Sequence, residues 1–212
     1  MTELWEKLSE SVILGNTDET KKLTQQALDE GAQAHEILEK GLLPAMDVVG
    51  QRMKSGEMFI PEVLLSARTM GAGMEILRPL LSENDADGIG TVIMGTVEGD
   101  LHDIGKNLVG MMLEGSGFKV VDLGAGVKPQ AFVEAVKDYK PRIVGMSALL
   151  TTTMPKMKET VDAIKEAGIR EQVKIMAGGA PVTQEFCDKI GADAYGDNAG
   201  SAVEKAKALV NR

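Results

Sequence analysis

The apolar residues of the first eighty positions recur at the three- and four-residue spacing of amphipathic helices. They form four groups: Leu4, Leu8 and Val12; Leu23, Ala27 and Leu28; Leu42, Met46 and Val49; Val63, Ala67 and Met70. Residues typical of helix ends separate these groups. Asn16 can cap the second helix and Gly31 can close it, while Pro44 and Pro61 each fall near a helix start. The pattern predicts a bundle of about four helices.

Beyond residue 90 the pattern changes to short apolar runs, separated by amphipathic segments of helical length. The runs are Thr91–Val97, Lys119–Leu123, Ile143–Met146, Lys174–Ala177 and a weaker one at Ala192–Tyr195. Strands that alternate with helices form parallel sheets through right-handed crossovers. The second half is therefore predicted to be a five-stranded, Rossmann-like domain with the flavodoxin-like strand order.

A short polar and acidic stretch, Ser82–Gly88, separates the two patterns and shows no apolar periodicity. It is typical of a connection between domains. We therefore predict a helical bundle domain at residues 1–82, a linker at 83–89 and the Rossmann-like domain at 90–212. The fold class is α/β, with a four-helix bundle preceding a parallel sheet.

The charge balance narrows the choice of partners. The 212 residues carry a formal net charge of −9, and the sequence pI is near 4.9. Such a surface repels polyanions, so we expect neither nucleic acid nor an anionic membrane as a partner. No basic segment followed by an apolar stretch opens the sequence, and no run approaches membrane-spanning length. We expect a cytoplasmic protein that binds a small molecule or another protein.

The unusual residues follow the predicted strands. In a sheet of this order, ligands bind beyond the carboxyl ends of the strands, where the strand order reverses between the first and third strands. The segments at this edge are Glu98–Gly105, Ser147–Thr151, Gly178–Ala180 and Gly196–Asp197. The glycine-rich turn after the first strand could cradle a phosphate, but the P-loop and dinucleotide signatures are both absent. Mononucleotide binding is therefore a minor alternative.

Asp100 and His102 are the most informative pair in these segments. A carboxylate near a histidine can accept the proton of one ring nitrogen and leave the other nitrogen free to bind a metal. A lone loop histidine is more often a solvated polar residue. His102, however, lies at the switch point, the place between the first and third strands where the strand order reverses, and this position favours a role as a metal ligand. A zinc site needs three or four protein ligands, and the only other histidine, His35, lies on a polar stretch of the helical half. A metal bound by one histidine needs a macrocycle, either haem or a corrin ring.

Three motifs resemble those of cobalamin-binding domains. The Asp-x-His-x-x-Gly signature is present as Asp100, His102 and Gly105, the second motif as Ser147-x-Leu149 with Thr151, and the third as Gly178-Gly179. The helical half is similar to the cap that precedes the cobalamin domain of methionine synthase, and the segments that carry this likeness are Gly56–Val63 and Ser66–Arg68. In size the chain resembles the stand-alone corrinoid proteins of methanogens and acetogens.

The resemblance implies a role for each matched residue. His102 is the metal ligand, the lower axial ligand to cobalt of a base-off corrinoid, with Asp100 orienting it and Ser147 extending the hydrogen-bond relay. The displaced nucleotide tail of the cofactor then enters a slot lined by Gly105, Ser147, Leu149, Thr151, Gly178 and Gly179. The remaining predicted cofactor contacts are Asp103, Ile104, Ala180 and, from the helical cap over the reactive face, Phe59, with Ile60 and Leu64 as further candidates.

The same resemblance implies a methyl carrier that is not catalytic alone. Co(I) would accept a methyl group from methylamine, methanol, glycine betaine or an aryl methyl ether bound on a substrate-specific methyltransferase. Methyl-Co(III) would pass it to an acceptor methyltransferase for tetrahydrofolate or coenzyme M, and a reductive activator would restore oxidised cobalt. A cobalamin-based sensor and the cobalamin subunit of a mutase are the alternatives.

Overall fold

The computed structural model describes residues 2–81 and 89–210. The chain divides into two compact units, one formed by Met1–Gly88 with Met111–Gly117 and the other by Ile89–Gly110 with Phe118–Arg212. The predicted connection, Ser82–Gly88, lies outside the described residues.

The first unit is helical, as predicted. Its elements are α1 (Thr2–Ile13), α2 (Thr17–Asp29), α3 (Ala34–Ile37), a π-helical turn (Leu38–Leu42), α4 (Leu43–Ser55), α5 (Ile60–Leu77) and a 3₁₀ turn (Arg78–Leu80). Because α3, the π turn and α4 follow one another without a break, residues 2–81 contain four helical segments. The periodic apolar positions form its core: all twelve are buried except Leu28, which is partly buried. The Asn16 side chain caps α2 by accepting the N–H of Glu19 at 3.2 Å.

Pro44 falls in the first turn of α4, as predicted, although no break separates α4 from the helical residues before it. It lies in the continuous helical segment from Ala34 to Ser55, directly after the π turn Leu38–Leu42. Proline has no N–H to donate, and its ring collides with the carbonyl group four residues before it in a regular α-helix. A π turn adds a residue to the ladder and absorbs this conflict, so the chain continues as a helix. Pro61 likewise falls in the first turn of its helix, α5.

The second unit is a five-stranded parallel sheet. Its strands are β1 (Gly90–Thr96), β2 (Phe118–Asp122), β3 (Ile143–Ser147), β4 (Lys174–Gly178) and β5 (Ala194–Gly196), in the order β2-β1-β3-β4-β5. Every predicted strand is present, with each end within two residues of its predicted position. The flavodoxin-like order is confirmed, and the order of strands reverses between β1 and β3.

The connecting helices are α6 (Ile104–Gly115), α7 (Pro129–Tyr139), α8 (Met154–Glu166), α9 (Gln184–Ile190) and α10 (Ala199–Val210), with a 3₁₀ turn at Arg170–Gln172. Buried side chains of the strands and of α7 and α8 form one apolar cluster, in which Phe132, Val161 and Ile175 are fully buried. None of the helices in the described part of the chain is both long and apolar enough to cross a membrane.

Candidate cofactor site

The strand register brings the predicted segments to one edge of the sheet. Thr96 at the end of β1 pairs with Ser147 of β3, Ser147 pairs with Gly178 of β4, and Gly178 pairs with Gly196 of β5. The loops that follow these strands therefore begin side by side. The loop after β1 turns at Gly99, whose φ of +83° lies in the left-handed region that glycine adopts without strain.

Asp100 lies in this loop and is completely buried. Its Oδ1 accepts the backbone N–H of His102 at 3.0 Å and approaches Nδ1 of the His102 ring at 2.7 Å. A carboxylate that accepts both groups of one residue fixes the imidazole in position relative to the loop. The predicted pairing of these two side chains is present in the structure.

The other oxygen of Asp100 is held by the loop that follows β3. Oδ2 accepts the N–H of Leu149 at 2.7 Å, the N–H of Leu150 at 3.2 Å and the hydroxyl of Thr153 at 2.8 Å. Burial by itself raises the pKa of the carboxyl group, but the hydrogen bonds from His102, Leu149 and Thr153 outweigh it and hold the pKa of Asp100 well below its usual range. Asp100 is therefore a carboxylate at neutral pH despite its burial.

The state of Asp100 determines which nitrogen of His102 carries the proton. An ionised carboxylate can only accept hydrogen bonds, so Nδ1 of the neutral ring carries the proton that faces Asp100. The lone pair is then on Nε2, the nitrogen that binds metals in such carboxylate–histidine pairs. The His102 side chain is 53% exposed, whereas Asp100 is 0% exposed, so a ligand can reach the ring but not its partner.

The loop after β1, which carries Asp100 and His102, is called the histidine loop. Ser147 reaches this loop through Thr96 and the His102 backbone, and not through the predicted relay of hydrogen bonds behind Asp100. Its hydroxyl lies 2.8 Å from the Thr96 hydroxyl, which donates to the carbonyl oxygen of His102 at 3.1 Å. Among the described residues, the hydroxyl that bonds Asp100 itself is that of Thr153. Thr153 precedes the first residue of α8, and its hydroxyl oxygen also lies 2.9 Å from the Leu150 carbonyl oxygen. A hydroxyl at a helix start is a signal that could have identified it, since it lies where loop and helix N–H groups converge.

Exposed apolar side chains lie close to His102 in the sequence and in the loop after β3 that bonds Asp100. Leu101 is 78% exposed and Ile104 is 83% exposed, while Leu149 and Leu150, whose N–H groups bond Asp100, are 44% and 41% exposed. Asp103 is partly buried, and its carbonyl accepts the N–H of Asn107 in the first turn of α6. Exposed apolar groups beside a functional residue are typical of a surface that a ligand covers.

The predicted slot glycines divide into two kinds. A Cβ on Gly105 would meet no atom within 4 Å, so the space beside it is open. A Cβ on Gly178 would lie 2.7 Å from the carbonyl oxygen of Gly196, and one on Gly179 would lie 1.9 Å from that of Ala148. The protein backbone by itself therefore requires glycine at 178 and 179, whatever ligand lies nearby.

The other predicted contacts lie where a ligand can reach them. Thr151 and Ala180 are exposed on the loops after β3 and β4. Phe59 is 68% exposed at the start of α5 in the helical unit, where its N–H donates to Glu62 at 2.8 Å. The predicted contacts of Thr151, Ala180 and Phe59 with a cofactor stay predictions.

An ion pair that the sequence did not indicate lies beside the loop. Lys106, in the first turn of α6, is 3% exposed and donates to Asp122 at the end of β2. Burial raises the pKa of Asp122, but the hydrogen bonds from Lys106 and from the N–H of Gly124 lower it below its ordinary value. Two residues further on, the N–H of Gly126 donates to the carbonyl oxygen of Asp100 at 2.9 Å. The Lys106–Asp122 ion pair therefore joins the start of α6 to the loop after β2, and this loop contacts the Asp100 backbone through Gly126.

The donor set suits a metal that brings most of its own ligands. Within residues 2–81 and 89–210, no group of three or more His, Cys, Asp or Glu side chains could hold a metal ion. One exposed imidazole with a free Nε2 offers one coordination position, and the adjoining leucine and isoleucine side chains offer apolar surface. Both features fit a corrin ring. The fold and the side chains at this edge thus define the class as an α/β protein whose site suits a large cofactor that carries its own metal.

Comparison with known proteins identifies the family. Two family models described as "B12 binding domain" match the chain, one over residues 90–204 and the other over residues 4–78. The chain therefore belongs to the B12-binding protein family and binds a corrinoid. The resemblance found in the sequence is confirmed.

Relatives match nearly the whole chain. The trimethylamine corrinoid protein of Methanosarcina barkeri is 44% identical over 211 residues, which cover 99% of this chain and 97% of the relative. The dimethylamine corrinoid protein 1 of Methanosarcina acetivorans is 44% identical over 209 residues, which cover 98% of both chains. The crystal structure of the methanol:cobalamin methyltransferase complex MtaBC from M. barkeri aligns with 33% identity and a TM-score of 0.87, over 99% of this chain and 80% of that one.

Proposed function

We propose that this protein is the methyl carrier of a multi-component methyltransferase system that demethylates a methylated amine, and that Nε2 of His102 is the lower axial ligand to its corrinoid cobalt. The observation that carries the proposal is the Asp100–His102 pair. The carboxylate is fully buried and accepts five hydrogen bonds, while the imidazole it orients is half-exposed.

Each side chain of the site has a task in this role. Asp100 keeps the proton of the neutral ring on Nδ1, so that the lone pair of Nε2 is available to a metal. Leu149, Leu150 and Thr153 hold the carboxylate in place. When bound, the corrinoid supplies a cobalt that can accept and release a methyl group.

The apolar residues beside His102 favour binding of the ring itself. Leu101 and Ile104 each expose more than three quarters of their surface, and covering them with a corrin removes apolar area from water. Covering this surface also excludes water from the cobalt–imidazole bond, where it would compete as a ligand. Gly105 leaves open space for the displaced tail of the cofactor.

The relatives favour an amine as the methyl donor. The trimethylamine and dimethylamine corrinoid proteins are each 44% identical to this chain over nearly its whole length. Among the solved structures, a monomethylamine corrinoid protein of Methanosarcina barkeri aligns with 37% identity and the chain from the methanol complex with 33%. We therefore propose tri- or dimethylamine as the donor, bound on a substrate-specific methyltransferase. A second methyltransferase would pass the methyl group to coenzyme M or tetrahydrofolate. A reductive activator would reduce cobalt that has become oxidised, so that the carrier can accept a methyl group again.

The ligand assignment is tested by absorption spectroscopy of protein reconstituted with cobalamin. His102→Ala should lose the spectrum of imidazole-bound cobalt. His35→Ala is the matched control, because His35 is similarly exposed in the helical unit and pairs with Glu39 at 3.2 Å. An unchanged spectrum in His102→Ala would remove His102 from the proposal.

The donor is tested by mixing reduced holoprotein with purified amine and methanol methyltransferases and their substrates. We expect the spectral change that accompanies methyl transfer with trimethylamine or dimethylamine and their cognate enzymes. Methanol and its enzyme should give a much slower change. Transfer from methanol alone would show that the amine assignment is wrong while leaving the carrier role intact.

A further inference from the structure

Gly179, directly after β4, packs against the backbone of the loop that follows β3. Its φ is +130°, a conformation that residues with a side chain rarely adopt. A Cβ at this position would lie 1.9 Å from the carbonyl oxygen of Ala148 and 2.9 Å from its carbonyl carbon. Ala148 is 1% exposed, so its peptide has little freedom to retreat.

The peptide that Gly179 contacts leads directly to the donors that hold Asp100. Ala148 donates its N–H to the Gly178 carbonyl at 3.2 Å, and the next two N–H groups, of Leu149 and Leu150, bond Oδ2 of Asp100 at 2.7 and 3.2 Å. A Cβ on Gly179 would have to gain about 1 Å or more from the Ala148 oxygen to reach an allowed contact. A shift of that size in the loop is enough to break a hydrogen bond of ordinary length.

We propose that Gly179 is a positioning residue for the axial histidine, acting through the Ala148 peptide and the N–H groups of Leu149 and Leu150 on Asp100. This inference rests on the proposed role of His102. It assigns Gly179 a task that differs from lining a slot for the nucleotide tail of the cofactor. The absence of a side chain lets the loop after β3 approach β4 closely enough to complete the carboxylate's hydrogen bonds.

The two roles differ in their consequences for cobinamide, a corrinoid without a nucleotide tail. A residue that only lines the tail slot affects the binding of cobalamin and not of cobinamide. A residue that positions Asp100 and His102 affects both corrinoids, because the cobalt–imidazole bond is common to them. Cobinamide is therefore the discriminating probe.

The variant is Gly179→Ala, and its matched control is Gly168→Ala. Gly168 also has a positive φ, +71°, but it lies in the turn after α8, and a Cβ there would meet nothing within 4 Å. The control therefore replaces a glycine of positive φ without pressing on Ala148, at a φ in the left-handed region that alanine adopts at lower cost than +130°. We expect Gly179→Ala to bind cobinamide about tenfold more weakly, with less imidazole-bound cobalt in the spectrum, since one or more hydrogen bonds to a charged group are lost. Gly168→Ala should bind it as the wild type does.

A second measurement uses the protein without any corrinoid. The Leu149 amide donates a short bond to a carboxylate, so its proton resonance should lie downfield in the NMR spectrum of the wild type and move upfield in Gly179→Ala. If Gly179→Ala does not fold, Ala148→Gly loosens the same peptide without adding an atom and should shift both readouts in the same direction.

The outcomes separate this inference from the function on which it rests. If His102→Ala binds cobinamide with the wild-type spectrum, the proposed ligand is wrong. If His102→Ala loses that spectrum but Gly179→Ala keeps wild-type cobinamide binding, the positioning role is wrong and the proposed function stands. A folded Ala148→Gly with wild-type binding and a wild-type Leu149 resonance would likewise overturn the positioning role.

Discussion

The ammonium group of Lys106 lies 2.6 Å from both carboxylate oxygens of Asp122. Nearly all of the lysine side chain is buried, at 1% exposure, whereas half of the Asp122 side chain is exposed. The Asn107 side chain accepts a further bond from the same ammonium group at 2.6 Å. The two partners are therefore unequal, because the lysine has almost no contact with water and the aspartate keeps about half of its own.

This inequality predicts different costs for the two ways of breaking the pair. Asp122→Asn leaves a buried ammonium group without a counter-charge and should lower the free energy of unfolding by about 3 kcal/mol. Lys106→Met leaves a half-exposed carboxylate that water can solvate and should cost about 1 kcal/mol. Urea unfolding of the apoprotein measures both values. Equal costs would show that burial of the lysine does not govern the energetics of the pair.

The same pair should also affect the cofactor site, because it joins the start of α6 to the segment that contacts Asp100. Lys106→Met is expected to weaken cobinamide binding several-fold, since Ile104 and Gly105 lose a fixed position relative to His102. Arg170→Met is the control: Arg170 pairs with Asp193 at 2.8 Å, remote in sequence from the histidine loop. Equal losses of affinity in the two variants would indicate a general effect on the fold.

The low pKa of Asp100 predicts how the stability of the apoprotein depends on pH. Although burial raises this pKa, the hydrogen bonds to the carboxylate lower it well below the value of about 3.9 for an unfolded chain. The unfolded state therefore takes up a proton first as the pH falls, and the stabilisation by Asp100 is complete above about pH 4 to 5 and declines below it. The difference in unfolding free energy between the wild type and Asp100→Asn should be smaller at pH 3 than at pH 5. A difference that grows between pH 5 and pH 3 would contradict this account.

Thr153 should matter to the histidine site through its hydroxyl group. Thr153→Ala removes one of three donors to Oδ2 of Asp100 and should weaken cobinamide binding by about fivefold to tenfold. Thr153→Ser keeps the hydroxyl and should restore most of the affinity. Thr151→Ala is the control at an exposed neighbouring position, and cobinamide removes any contribution from the tail slot. Failure of serine to restore binding would point to the methyl group instead.

Much of the fold could be predicted because its signals are local. The apolar runs identified the strands, and a carboxylate two residues from a histidine identified the Asp100–His102 pair. The bond from Thr153 to Asp100 spans 53 positions, and the one from Lys106 to Asp122 spans 16. No periodicity or spacing connects such residues, so only the folded chain reveals which hydroxyl and which ammonium group reach the site.

The glycines show a second limit of sequence reasoning. A glycine in the sequence can indicate that no side chain fits at that position, but it does not indicate which atoms occupy the space. The sequence predicted a ligand beside Gly105, Gly178 and Gly179 alike. The structure leaves open space only at Gly105, whereas backbone oxygens of Gly196 and Ala148 occupy the positions beside the other two.

The exposed apolar residues beside His102 offer a test of the cofactor surface that leaves the fold intact. Ile104 is 83% exposed, so Ile104→Ser should change the free energy of unfolding by no more than about 0.5 kcal/mol. If the corrin covers this side chain, the same change should weaken cobinamide binding by about tenfold or more, because the apolar area that binding removes from water is lost. Tyr139→Ser is the control: Tyr139 is 52% exposed at the end of α7, which runs back to the edge of the sheet opposite His102. Unchanged affinity in Ile104→Ser would place the ring away from the start of α6, whereas a loss in both variants would trace the effect to the fold and not to the cofactor surface.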